Sequence, residues 1–133
     1  MKSTEHVSSL RIPFKVFLPS GVGLERFVII HIVHGERSCI VDAGVRGSED
    51  LITNALAAEG LPDPMGILLT HTHPDHIGAA KALHERLGVP IMCPAGETNW
   101  LEDVSLQAKE RPVPGFERLV GGPAKAEIEV GGG

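Results

Sequence analysis

Hydrophobic and polar positions along this chain switch between two periods. Val7 to Leu18 alternates loosely, the period of two that a half-covered strand shows. Pro13 falls inside that run, removes a ladder donor, and so predicts an edge strand or a break. Phe27 to Val33 (FVIIHIV) is dense in β-branched residues, and Ser38 to Val41 (SCIV) follows after His34-Gly35-Glu36-Arg37, a link with the composition of a hairpin turn. Asp42-Ala43-Gly44 closes that strand, and Gly44 and Gly47 permit a tight exit.

The period then lengthens. Ser48 is placed to cap a helix, with Glu49 and Asp50 at its positive end. Leu51, Ala55 and Ala58, flanked by Ile52 and Leu56, form an apolar stripe that ends at Gly60, Pro62 and Pro64. Gly66 to Leu69 is a short unbroken apolar run, expected for a buried parallel strand. A second helix is predicted from Asp75 or His76 to Leu87, with Ile77, Ala80, Leu83 and Leu87 on one face and Gly88 as its stop; Val89 to Cys93 is the next strand. This alternation predicts right-handed βαβ units and a partly parallel sheet, an α/β class. Beyond it, Ala95 to Lys109 reads as helical, Arg111 to Gly115 as a loop and Ala124 to Val130 as a strand.

Composition narrows the function. At 133 residues the chain is one domain, 1–133. Twelve basic against seventeen acidic side chains give −5, which argues against a partner that presents a phosphate backbone. An aromatic share of 4% with no Tyr makes base-stacking platforms a poor fit. Two cysteines, Cys39 and Cys93, exclude a disulfide-dense scaffold and a four-cysteine zinc ribbon; at strand positions they read as small hydrophobes. Met1 to Ser9 is polar, with no leader-like apolar stretch, so a cytoplasmic protein with no membrane partner is expected.

The chemistry concentrates between the Gly66 to Leu69 strand and the helix after it, in Thr70-His71-Thr72-His73-Pro74-Asp75-His76. Ligands in open α/β sheets bind at the carboxyl ends of strands. Neutral imidazoles and a carboxylate are a donor set that zinc, iron and manganese accept. With this composition, chance assembly of His-x-His-x-Asp-His has a probability of roughly 10⁻³, so a set of unrelated surface histidines is the weaker reading.

In these residues the chain resembles the metallo-β-lactamase superfamily of metallohydrolases. The match is His71, His73, Asp75 and His76 with Gly78 just behind, preceded by the strand ending at Leu69-Thr70. A second match lies upstream, in the strand Cys39-Ile40-Val41 ending in Asp42-Ala43-Gly44. The resemblance implies a metallo-β-lactamase-like αββα sandwich, of which this chain carries the first half, one sheet with its helices, cut on its C-terminal side. It implies two divalent metal ions, zinc before iron or manganese, with His71 and His73 on one and Asp75 and His76 on the other. Asp42 would orient a ligand imidazole, and Asp75 would both ligate and steer the attacking water. The implied activity is hydrolysis by a metal-bound hydroxide of an ester, lactone, thioester or similar small acyl substrate. A metal-binding module without turnover, an iron-dependent oxidoreductase and a phosphodiesterase are the alternatives.

The family's downstream ligands have no counterpart here. His84 sits one helical face further along, at a spacing that suits an exposed position, and Asp103 has no neighbouring His. His31 and His34 lie on or just after a strand and read as satisfied strand histidines. Gly21-Val22-Gly23 is no dinucleotide fingerprint, since no strand leads into it and no helix follows. Finally, the two helices can cover one sheet face only, so the other is expected to pair with a second copy as a homo-oligomer.

Overall fold

The computed structural model describes residues 2–3, 5–111, 113 and 116–130. Seven strands form one sheet in chain order: β1 (Lys2–Ser3), β2 (Val7–Phe17), β3 (Gly23–His34), β4 (Ser38–Val41), β5 (Pro64–Leu68), β6 (Ile91–Pro94) and β7 (Ile128–Val130). The first four strands are antiparallel; β4 to β7 run parallel, as the alternation with helices requires. Between and after them lie α1 (Glu49–Ala58), α2 (Pro74–Ile77), α3 (Ala80–Leu87), α4 (Thr98–Glu102), α5 (Val104–Glu110) and α6 (Phe116–Leu119).

Register separates two faces. Ile32, Ile40, Ile67 and Ile91 pair in sequence across β3 to β6 and all are buried. The adjacent line runs His31, Val41, Leu68, Met92, Ile128 and points the other way, because successive strand residues alternate. The inner line joins Ile52, Leu56, Ile77, Ala80 and Leu83 of the helices in one core. The outer face keeps Phe27, Ile29, Val33 and Ile128 exposed. The architecture is α/β, one sheet with a helical layer on one face, which is one half of an αββα sandwich.

Pro13 is tolerated in β2 because β1 pairs only with Ser8 and Ser9, leaving the far edge of β2 open at the proline. The strand expected over Ala124 to Val130 contracts to Ile128–Val130, and β1 and α6 are additions.

Four expectations need correction. In α1 the buried pair is Ile52 and Leu56, while Leu51 is 48% exposed and Ala58 is exposed. Turning Ile52 and Leu56 inward removes two large side chains from water, against one leucine and two alanines for the stripe expected. Ser48 holds the N-cap position without making a side-chain cap. The single helix expected to Leu87 is two. Pro74 starts α2, and the break falls at Gly78, whose N–H donates to Gly44 at 2.7 Å and whose carbonyl accepts from Gly121 at 2.8 Å. Likewise the helix over Ala95 to Lys109 divides at Asp103, whose carboxylate accepts from the Leu106 N–H and caps α5.

Candidate metal centre

The ends of β4 and β5 are tied together by Asp42. Its N–H donates to the Leu68 carbonyl at 2.8 Å, so the parallel ladder reaches one residue past β4. The chain then turns through φ +68° at Asp42, the only described residue other than glycine with positive φ. Asp is among the few side chains that accept this left-handed region. The turn aims the carboxylate at the next strand end, where Oδ1 accepts the Thr70 N–H at 2.9 Å and Oδ2 the Thr70 hydroxyl at 2.8 Å. Oδ2 also lies 3.0 Å from Nδ1 of His76, in the first turns after the motif loop.

These contacts assign protons. The Thr70 hydroxyl spends its hydrogen on Asp42, so its 3.0 Å contact with His71 Nδ1 requires that nitrogen to carry a proton. The Asp42 carboxylate requires the same of His76 Nδ1. The Arg111 guanidinium lies against Nε2 of His73. With Nδ1 engaged by Thr70 in His71 and facing Asp42 in His76, Nε2 is the nitrogen each of these two rings would offer a metal once neutral. The rings are packed together: His71 and His73 centroids are 4.5 Å apart edge to face, and His71 and His76 are 3.8 Å apart. Asp75 Oδ2 is 3.7 Å from His76 Nε2.

Electrostatics follow from the same neighbours. Burial pushes the Asp42 carboxyl up, but the hydrogen bonds with His76 and Thr70 and the charge of His76 outweigh it and hold the group below its ordinary value. Burial pushes His76 down, but Asp42, with Asp75 behind it, raises the imidazole above its ordinary value. His73 is held low by burial, then by the Arg111 guanidinium and by His71.

The loop is fixed from below. Thr72 is fully buried; its hydroxyl donates to Glu97 at 3.2 Å and its carbonyl accepts from the buried Gln107. Thr72 is the fully buried residue of this loop, and His71 and His73 on either side of it are half-buried.

The structure thus brings Asp42, His71, His73, Asp75 and His76 to one place. Among the described residues, however, no three His, Cys, Asp or Glu side chains converge to hold an ion as they stand. The physical reason is visible: a guanidinium sits against His73 Nε2, and His71 packs on the His76 ring. The donors fit a divalent metal in kind, and the obstacles are the exposed Arg111 and the packing of His71 on His76. His84 stands elsewhere, with the Val89 carbonyl at 2.7 Å and Glu127 at 3.3 Å. His31 and His34 are satisfied by Ser9 and Ser8. Cys93 is buried as expected, whereas Cys39 is only half-buried because it faces outward from β4.

Thr70, Glu97, Gln107 and Arg111 escaped the sequence reading. Gln107 alone left a signal, a polar residue on the core side of an otherwise ordinary amphipathic stretch.

The metallo-beta-lactamase superfamily profile matches residues 27–132. The probable metallo-hydrolase YqgX of Bacillus subtilis (strain 168) is 37% identical over 75 residues, 56% of this chain and 34% of that protein. The probable metallo-hydrolase YybB of the same organism is 33% identical over 98 residues, 74% of this chain and 41% of that protein. Among solved structures, the BLEG-1 B3 metallo-beta-lactamase superposes with TM-score 0.61 at 24% identity over 90% of this chain and 53% of that chain. MIM-1 from Novosphingobium pentaromativorans gives 0.67 at 22% identity, over 80% and 39%. At these identities the structural likeness speaks for the fold. The chain spans between a third and about two fifths of the length of the two curated relatives, 34% and 41%. No helix of the described residues is long and apolar enough to cross a membrane. The profile, the relatives and the fold agree: the chain belongs to the metallo-beta-lactamase superfamily.

Proposed function

We propose that this chain is the metal-binding half of a metallohydrolase site, holding divalent ions, zinc first, through His71, His73, Asp75 and His76. The observation that carries this reading is the packing of three imidazoles on one loop, with the His71 ring 4.5 Å from His73 and 3.8 Å from His76 and the buried Asp42 carboxylate 3.0 Å from His76 Nδ1. Asp42 orients His76, as such carboxylates do for ligand histidines. Thr70 orients His71. Asp75 supplies the carboxylate donor from the first turn of α2 and is the residue placed to steer a water molecule. A bound metal would supply a Lewis acid and lower the pKa of water, the chemistry that hydrolyses esters, lactones and thioesters. A catalytic zinc uses about three protein ligands plus water. Four donors shared between two ions leave two each, so the 133-residue chain binds metal and turns over acyl substrates feebly or not at all. Further ligands, from a second copy or another segment, complete the active hydrolase.

Elemental analysis of protein purified without added metal tests this, and zinc, iron or manganese is expected. The assignment fails if His71→Ala with His73→Ala leaves the metal content unchanged. Robust metal-dependent ester hydrolysis by the monomeric chain would overturn the half-site reading and require ligands beyond these four.

A further inference from the structure

A cleft of about 250 Å³ opens beside the motif loop, with His73, Pro74 and Asp75 on one side. Its apolar lining comes from Phe14 and Val16 of β2 and from Val113 and Leu119. Its charged lining is two guanidiniums, Arg26 of β3 and Arg111 after α5. Arg26 donates to the Glu25 carbonyl and Arg111 lies against Nε2 of His73. Among the described residues neither is paired with a carboxylate within ion-pair distance. Asp75 is the single acidic side chain lining the cleft, and it is a donor of the candidate metal centre.

Two arginines line this apolar-walled cleft in a chain of net charge −5. Arginine favours planar anions because its fork of N–H donors matches both carboxylate oxygens. A small-molecule site combines apolar walls with a few polar groups that fix orientation. Here the orienting groups are cationic and border the two donors nearest the reacting position.

Building on the metal-site reading, we propose that this cleft docks the substrate and that the substrate is an acyl compound bearing a carboxylate on a small apolar group. Arg26 and Arg111 hold the carboxylate, Phe14 and Val16 cover the apolar part, and the scissile bond is left against His73 and Asp75. Engaging the carboxylate also draws Arg111 off His73 and frees its Nε2.

The test is calorimetric titration of the 133-residue chain with 3-phenylpropionate and with its neutral isostere 3-phenylpropionamide, in chelator-treated and zinc-loaded protein. The carboxylate is expected to bind at least about tenfold more tightly than the amide in the metal-free protein. Arg26→Gln and Arg111→Gln should each reduce that preference several-fold, with melting temperatures checked, since both side chains are exposed and glutamine keeps most of the stem. Equal affinity for the two probes, no binding of either, or an undiminished preference in both variants overturns the proposal. So does a preference seen only with zinc, which would place the carboxylate on the metal. Zinc binding is titrated in the same preparations, so a failure of the metal site registers separately from a failure of the arginines.

Discussion

Asp42 Oδ2 stands 3.0 Å from Nδ1 of His76, joining the residue after β4 to the end of the motif loop across 34 positions of sequence. The same carboxylate holds both the N–H and the hydroxyl of Thr70. One buried side chain therefore fixes the position of two of the histidines proposed as ligands, His76 directly and His71 through Thr70. The left-handed φ at Asp42 is the backbone's cost of aiming it.

Asp42→Ala should therefore lose on two counts. It leaves the His76 and Thr70 donors unsatisfied, at about 1–3 kcal/mol, and puts an alanine where φ is positive. Asp42→Asn keeps the tolerance for that φ and accepts from Thr70, but cannot hold the His76 proton with a full charge. We expect both variants to bind zinc about 10–100-fold more weakly, with only the alanine variant markedly less stable. Competition titration with a chromophoric chelator, alongside urea unfolding, separates the two effects. Unchanged zinc affinity in Asp42→Asn would remove the orienting role.

Gly78 is the crossing point of three backbone segments. A Cβ there would collide with the Leu119 carbonyl, the Val45 Cα and the Arg46 nitrogen, and none of these is a flexible side-chain end. Gly78→Ala is expected to cost about 3 kcal/mol or more, whereas Gly88→Ala, at φ +66° with open space around it, should cost less. Urea midpoints at equal m-value check the order. A neutral Gly78→Ala would mean that the contact between residues 43–46 and 119–121 is dispensable.

How much of this the sequence disclosed depends on the range of the interaction. The His71-to-His76 spacing is local, so its chemistry can be read directly. The strand faces follow from alternation, and Ile32, Ile40, Ile67 and Ile91 fall where FVIIHIV, SCIV, GILL and the Val89 to Cys93 run place them. The break at Gly78 is set by Gly44 and Gly121, 34 positions before and 43 after it, and no helical periodicity contains that information. Arg111 on His73 and Gln107 under Thr72 are hidden for the same reason. The turn of α1 is not legible in the pattern because Ala and Leu count alike in a stripe but differ in the area they bury.

Cys93 predicts an alkaline limit. Burial first, then Glu97, Glu129 and Glu102, push its thiol from 9.0 up to about 11. The folded chain then keeps a proton that the unfolded chain has released, so between those values stability falls as pH rises. Cys93→Ala should lower stability overall yet flatten this decline, while the raised thiol of Cys39 leaves a remnant of it. Chemical unfolding from pH 8 to 11 reads the slope. An equal slope in the variant would assign the decline to other groups.

The outer sheet face sets the last expectation. Phe27, Ile29 and Val33 of β3 are 51%, 43% and 45% exposed, and Ile128 of β7 is 46% exposed at the far side of the sheet. Val41, Leu68 and Met92 bridge them as one line of cross-strand partners. Apolar area is worth ~25 cal/mol per Å² when removed from water, and contiguous patches of this kind mark association surfaces. His31 lies within this face between Ile29 and Val33, and Arg11 stacks 4.2 Å over Phe27, so polar groups inside the patch give pairing an orientation. A second copy facing this surface would stack two sheets at about 10 Å, the ordinary spacing of a sandwich. We expect the 133-residue chain to be a dimer or larger at tens of micromolar by light scattering, and Ile29→Lys with Val33→Lys to shift it toward monomer while metal content is unchanged. A wild-type monomer under those conditions would show that the outer face tolerates water without a partner.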